Sequence, residues 1–511
     1  MPSTYFVKPP SRDELNALID KAADIIRTAV DYKFILVLLL LKRMNDLTLY
    51  ERDKAREELE RRGLSKSLSK EEMERQIKSE EFYTFKIPEE YIWENIKRDR
   101  KRLPENLADA ITTIAKMNES LQGVINRIDF LEFARNEENR TILSQLVDLF
   151  DKYYFAGDGL SDDIFGDAYE HILMKFAPEK AKEGEIYTPR EVINLLVNIL
   201  DPKPEHSIYD PCCGSGGMLI LSYNYVKKNY GSKVKMLNLY GQERNGDIYA
   251  ICKMNLLLHG INDAYIANGD TLMKPRFLSE GKRFDIVIAN PPWNQDGYDE
   301  DNLKEAELRQ RFRYGYTPSS SADWLWIQHM LYSAKDKGKV GIVIDNGALF
   351  RGNAEKSIRK KIINEDLVEA VILLPEKLFY NTGAPGAIII FNKDKPNERK
   401  GKILFINASN EYIKHPSVRR LNSLSDENIK HIVDAYKGSK DIPGFCRVVS
   451  IEEVKANDYN LNVTLYVMSI EEKEQVDISK EFYELIKIEE ERDRVTEDLK
   501  RILKQIAGVI E

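Results

Sequence analysis

The residues with most to offer chemically are Asn290, Pro291, Pro292 and Trp293, which end the apolar run Phe284–Ala289. Two prolines cannot continue a central strand, so the chain has to leave its sheet there. The plain account is a strand terminator followed by a core tryptophan. The chemical account is that the Asn290 side-chain oxygen and the Pro291 carbonyl are acceptors held rigidly beside an aromatic face. Two such acceptors can take both hydrogens of a planar amine, draw its nitrogen toward a tetrahedral state and free its lone pair. Chemistry of that kind rests on positioning and electrostatics.

A second cluster lies upstream. Tyr209-Asp210-Pro211-Cys212-Cys213-Gly214-Ser215-Gly216-Gly217 follows a strand and opens a helix. In doubly wound sheets a ligand sits beyond the carboxyl end of the first strand, and glycines let the backbone approach it with positive φ. The loop is neither the dinucleotide GxGxxG nor a phosphate loop, which needs Gly-Lys-Ser/Thr. A plain turn is its competitor. Glu243, at the end of the next strand, is placed to accept hydrogen bonds from ribose hydroxyls. Asp270, in Asn268-Gly269-Asp270, is a candidate for holding an adenine ring, with a turn role as the alternative. Glu185, Ile186, Tyr187, Thr188, Pro189 and Arg190 precede a helix that Thr188 could cap, with Pro189 in its first turn. The functional alternative is a loop closing over one end of the same ligand.

The elements that must position these residues follow from the hydropathy pattern. Over 185–395 short apolar runs alternate with amphipathic helices: Ser207–Tyr209, Met236–Tyr240, Ala264–Ala267, Phe284–Ala289, Val340–Ile344, Val368–Leu374 and Ala387–Phe391. That alternation predicts an α/β domain, a parallel sheet with helices on both faces. Residues 1–160 read as a helical domain, with Leu15, Leu18, Ile19, Ala22, Ile25 and Ile26 at helical spacing after the cap candidate Ser11. The span 161–400 carries both clusters, and 401–470 is a mixed extension of no assigned fold, with Lys402–Ile406 as a strand candidate. Residues 471–511 form a charged helix with a narrow stripe of Ile478, Phe482, Leu485, Ile488, Val495, Leu499, Ile502, Ile506 and Val509. The stripe suits another helix as partner or the chain's own domain.

Composition narrows the class. The 511-residue chain has net charge −8, with 31% charged and 42% hydrophobic residues. A protein gripping a long DNA tract alone would more often be basic, so a local patch or a partner has to do the holding. The four cysteines make no CxxC pair, which points to reduced thiols and no zinc site. The longest apolar run, Phe34–Leu41, is too short to cross a bilayer. No signal-peptide pattern opens the chain, and a cytoplasmic location is expected.

The two clusters also carry a family resemblance. Asp-Pro-x-x-Gly-Ser-Gly-Gly resembles the first cofactor motif of S-adenosylmethionine methyltransferases, and Asn-Pro-Pro-aromatic resembles the signature of amino-methyltransferases acting on planar amines. Phe165-Gly166-Asp167-Ala168-Tyr169-Glu170, Met254-Asn255-Leu256, His259-Gly260, Ala322-Asp323-Trp324, Asn346-Gly347-Ala348-Leu349-Phe350, Leu378-Phe379-Tyr380 and Gly383-Ala384-Pro385 stand in the same order. The whole resembles the modification subunit of type I restriction-modification systems, strongly over 160–395 and thinly after 400. Trp293 departs from the family's usual Phe or Tyr, and Cys212-Cys213 from its usual small residues.

The resemblance implies a Rossmann-like S-adenosylmethionine methyltransferase sheet between an N-terminal helical domain and a C-terminal helical tail. It implies methylation of adenine N6 in double-stranded DNA, the base flipped onto Trp293. Asp210, Gly214, Ser215, Gly216, Gly217, Glu243 and Asp270 would hold the cofactor, with 185–190 over its methionine end. A separate specificity subunit would choose the sequence, two modification subunits would clamp the DNA, and a restriction subunit could join them. Other readings stay open: a stand-alone DNA amino-methyltransferase for adenine or for cytosine N4, a protein-glutamine methyltransferase, or an inactive assembly scaffold.

Overall fold

The computed structural model describes residues 10–26, 32–62, 69–77, 83–157, 162–182, 188–416, 418–468, 485–497 and 499. The first helix, Arg12–Ile26, starts where Ser11 predicts. The Glu14 N–H donates to Ser11 Oγ (3.3 Å) and the Ser11 N–H donates to Glu14 Oε2 (2.8 Å), a reciprocal cap. The next helix, Lys33–Arg61, is buried all round from Ile35 to Leu41, which is why its apolar run shows no helical stripe. Deep in it, Lys42 pairs with Asp46 and donates to the Tyr153 carbonyl (2.9 Å), while Asp46 accepts the Phe155 N–H (2.7 Å). Buried charges are tolerated when neutralised and bonded in this way.

These helices, with Leu103–Met117 and Glu137–Phe150, share one core with Tyr169 and Ile172 of helix Asp162–Lys182 and Ile251, Met254 and Leu258 of helix Gly246–Leu258. The N-terminal region therefore seats on the helix that follows the second strand of the sheet, close to the glycine-rich loop.

The main strands are β1 Ser207–Asp210, β2 Asn238–Glu243, β3 Tyr265–Asn268, β4 Phe284–Ala289, β5 Ala334–Asp345, β6 Val368–Leu373, β7 Gly386–Asn392 and β8 Lys402–Asn407. A two-stranded ribbon, β9 Ile413–Lys414 and β10 Asn422–Ser423, follows, and then β11 Cys446–Ser450. The large sheet runs β11-β8-β6-β7-β5-β4-β1-β2-β3. From β5 through β4, β1 and β2 to β3 every pairing is parallel. The sheet departs from the parallel expectation at β7, which runs antiparallel to both β5 and β6. The segment joining β6 to β7 contains no helix, and a connection without a crossover helix favours antiparallel neighbours.

Helices cover both faces. Arg190–Leu200, Gly217–Tyr230 and Asp426–Gly438 pack on one, and Asp323–Ser333 and Asn353–Asn364 on the other. The stretch 401–470 extends this domain: β8 pairs with β6, and β11 lies antiparallel on β8 as the edge. No described helix is long and apolar enough to cross a membrane. In the tail, residues 485–497 are helical and exposed, with Ile488 and Val495 each 62% accessible. Ile478, Phe482, Ile502, Ile506 and Val509 lie outside the described residues.

Candidate active site

Strand order reverses at β1, which has β2 on one side and β4 on the other. Such a reversal opens a crevice beyond the carboxyl ends of the strands. Here the crevice is an open cleft whose walls include Thr188, Arg190, Asp210, Gly214, Ser215 and Asn290. Two segments far apart in sequence, the glycine-rich loop and the end of β4, thus face one space.

The loop is held by backbone geometry. Gly214 and Gly216 have φ of +52° and +87°, where a side chain would be strained. A Cβ on Gly214 would meet nothing within 4 Å, whereas one on Gly216 would lie 3.0 Å from Cys252 Sγ. Gly216 is therefore needed for its φ and for packing on helix Gly246–Leu258, and Gly214 leaves open space beside the loop. The Cys213 N–H donates to the Gln242 carbonyl (3.0 Å), and the buried Asn255 amide donates to the Ser215 carbonyl (2.9 Å).

Two carboxylates frame the loop. Glu243 Oε2 accepts the Gly214 N–H (3.1 Å) and Oε1 accepts the Asn245 N–H (2.7 Å). Asp210 is buried and accepts the Cys212 N–H (3.1 Å). Burial pushes the Asp210 carboxyl up to about 8, with the nearby Glu243 adding to the rise. Burial raises Glu243 as well.

At the end of β4, Asn290 is only 9% exposed. Its side-chain N–H donates to Thr188 Oγ1 (2.8 Å), and its Oδ1 accepts the Trp293 indole N–H (2.9 Å). Thr188 is not the helix cap: the helix begins at Arg190, and Pro189 holds the cap position with no side-chain bond. The threonine hydroxyl is spent on Asn290 instead. The Trp293 ring meets Phe379 edge-to-face at 4.7 Å, and a Cβ on Gly386 would sit 2.9 Å from that indole. Beyond Trp293 the chain is clamped. The Asn294 N–H donates to the fully buried Asp323 (3.1 Å), which Arg351 neutralises (2.8 Å), and Gln295 accepts the Trp326 indole N–H (3.0 Å).

Asp270 is drawn to another task. Its Oδ1 accepts the Met273 N–H (3.1 Å) within the turn, while its Oδ2 accepts the Tyr298 hydroxyl (2.6 Å) and lies 3.7 Å from Arg244 Nε. Glu185, Ile186 and Tyr187 lie outside the described residues.

Residues 160–475 match the N-6 DNA Methylase family, and residues 15–150 match the HsdM N-terminal domain. The chain is 47% identical to the type I restriction enzyme MjaVII methylase subunit of Methanocaldococcus jannaschii, over 99% of this chain and 85% of that one. The MjaVIII methylase subunit of the same organism is 46% identical, over 99% and 87%. The chain belongs to the N-6 DNA methylase family, among the methylase subunits of type I restriction enzymes. Its fold agrees. The solved type I restriction-modification methyltransferase subunit of Streptococcus thermophilus aligns with a TM-score of 0.77 at 28% identity, covering 90% of this chain and 100% of that one.

Within this N-6 DNA methylase several supporting residues escape motif reading. Gln242 is fully buried and fixes the turn after β3, donating to the Gly269 and Lys274 carbonyls (3.1 and 2.9 Å) and accepting the Arg276 N–H (3.1 Å). Asn255 of Met254-Asn255-Leu256 holds Ser215 through its side-chain amide. The Thr188–Asn290 bond joins positions 102 residues apart, and no local spacing signals it.

Proposed function

We propose that this adenine-specific DNA methylase uses S-adenosylmethionine as its methyl donor and acts on an adenine flipped out of double-stranded DNA. One observation carries the proposal: Asn290, with its amide fixed by Thr188, lines the same cavity as the glycine-rich loop. The donor set fits a nucleoside joined to an amino acid. Gly214 leaves room for close approach, Glu243 stands beside it for ribose hydroxyls, and Thr188 and Arg190 supply further polar groups in the lining. When bound, S-adenosylmethionine supplies a methyl group already activated by a sulfonium.

The chain's own residues then handle the amine. Asn290 Oδ1 and the Pro291 carbonyl accept the two hydrogens of the adenine amino group. With both hydrogens held, the nitrogen lone pair would be free to face the activated methyl group, and the methylated nitrogen would release its extra proton to water. Trp293 offers an aromatic face to the flipped base, and base–aromatic stacking of this kind is worth about 1–3 kcal/mol.

Sequence choice is assigned to a separate specificity subunit. The net charge of −8 gives the isolated chain little general hold on phosphate, and residues 485–497 carry exposed Leu485, Ile488 and Val495 for a helical partner. Two methylase copies would flank the DNA, with a restriction subunit as a further component. The test is methyl transfer from labelled S-adenosylmethionine to defined duplex DNA, by the chain alone and with its partner, followed by nucleoside analysis. N6-methyl-2′-deoxyadenosine appearing at one sequence only with the partner is the expected result. Site-specific transfer by the chain alone would favour a stand-alone enzyme.

A further inference from the structure

Two motifs, Phe165–Glu170 and His259-Gly260, have no part in the chemistry above. The structure brings them together behind the cofactor cavity. Glu170 lines the cavity and is 3% exposed, and its Oε2 pairs with the Arg190 guanidinium, which also lines the cavity. Its Oε1 lies 3.6 Å from Nε2 of His259, a ring with no exposed surface. One turn earlier on the Glu170 helix stands Gly166, where a Cβ would be 2.2 Å from the His259 ring. Gly166 is thus the notch that seats His259 against Glu170. Tyr169 fastens the same helix, donating from its hydroxyl to the Ile251 carbonyl (3.2 Å).

A buried carboxylate is costly, and for stability alone an apolar side chain would serve as well. An arginine held along one edge by a carboxylate is a preorganised planar cation, suited to a second carboxylate. We infer that Glu170, seated by His259 in the Gly166 notch, is a positioning residue that holds Arg190 toward the amino-acid end of the cofactor. This rests on the cavity being the S-adenosylmethionine site. The carboxylate of the cofactor's methionine end would meet Arg190, while the nucleoside end would lie against the glycine-rich loop, outside the reach of this device.

Two ligands separate the ends. S-adenosylhomocysteine carries the amino-acid end, and 5′-methylthioadenosine has the nucleoside and sulfur without it. Calorimetric titration of the full chain with each should show Glu170→Gln weakening S-adenosylhomocysteine by about tenfold or more and leaving 5′-methylthioadenosine unchanged. Arg190→Gln should give the same selective loss, and the double variant should be no worse than either single one. Equal loss of both ligands in Glu170→Gln would mean that Glu170 only props up the fold, and unchanged affinity for both would mean that it does nothing for the site; either overturns the inference. If the native chain binds neither ligand, the cofactor reading itself falls, and the inference with it.

Discussion

The Trp293 indole N–H donates to Asn290 Oδ1 at 2.9 Å, the atom proposed to accept a hydrogen from the adenine amino group. The Asn290 side-chain N–H, in turn, donates to Thr188 Oγ1 at 2.8 Å. The amide is thus fixed from both sides, its nitrogen on Thr188 and its oxygen on Trp293. An incoming amino group would add its donor to an acceptor already in place, which is electrostatic preorganisation.

Thr188 is the residue that sets the direction of the amide. Thr188→Val keeps the shape but leaves the Asn290 N–H without its acceptor, a loss of about 1–3 kcal/mol. Turnover should fall by about tenfold, and Thr188→Ser should restore most of it. Equal activity of the valine and serine variants, read as kcat at saturating cofactor, would show that the hydroxyl plays no part.

Trp293 combines a replaceable donor with an aromatic face. Trp293→Phe removes the indole N–H and keeps the ring against Phe379, so most activity should remain. Trp293→Ala removes the face, and turnover should drop by about tenfold or more, following the 1–3 kcal/mol of base stacking. Steady-state kinetics on duplex DNA compares the two. An alanine variant as active as the phenylalanine one contradicts the stacking role.

Asp210 gives a pH signature. Folding lifts its carboxyl from the ordinary 3.8 to about 8, burial being the main cause. A group raised in this way favours the folded state while it is neutral, so its contribution is complete below the unfolded value and is lost as pH rises through the folded one. Asp210→Asn removes that dependence. Melting temperatures of the native chain and the variant, measured from about pH 4 to about pH 8, should diverge in favour of the variant as pH rises. Parallel curves would place the carboxyl in its ordinary range.

Deleting residues 475–511 removes the exposed Leu485, Ile488, Val495 and Leu499 while leaving every described contact of the crevice in place. Co-purification with the specificity partner should weaken and cofactor affinity should stay constant. Undiminished assembly of the truncated chain would move the partner surface elsewhere.

Much of the sheet is legible in the sequence because buried strands leave dense apolar runs: β4 is Phe284–Ala289 in the pattern and in the structure alike. β5 is longer than its run Val340–Ile344, since Lys335–Lys337 near its start are polar and exposed. β11 has only a short run and lies at an edge, half-buried, and so escapes notice. The glycine-rich loop and Asn290 announce themselves because backbone conformation and rigid acceptors demand particular residue types. Thr188 does not, because a hydroxyl before Pro189 looks like an ordinary cap until the fold brings Asn290 to it. Asp270 shows the opposite case, a residue whose position after β3 suggests ligand binding and whose described bonds go to Met273 and Tyr298.

The central claim is that Asn290 activates the adenine amine in a cavity it shares with the cofactor, and Asn290→Ala tests it most directly. The variant loses one acceptor for the amino hydrogens and leaves the glycine-rich loop untouched. Methyl transfer to duplex DNA by the variant assembled with its specificity partner should fall by a factor on the order of 10² or more. Calorimetry on the same preparation should show S-adenosylmethionine bound as tightly as by the native chain. Near-native transfer by Asn290→Ala would contradict the account.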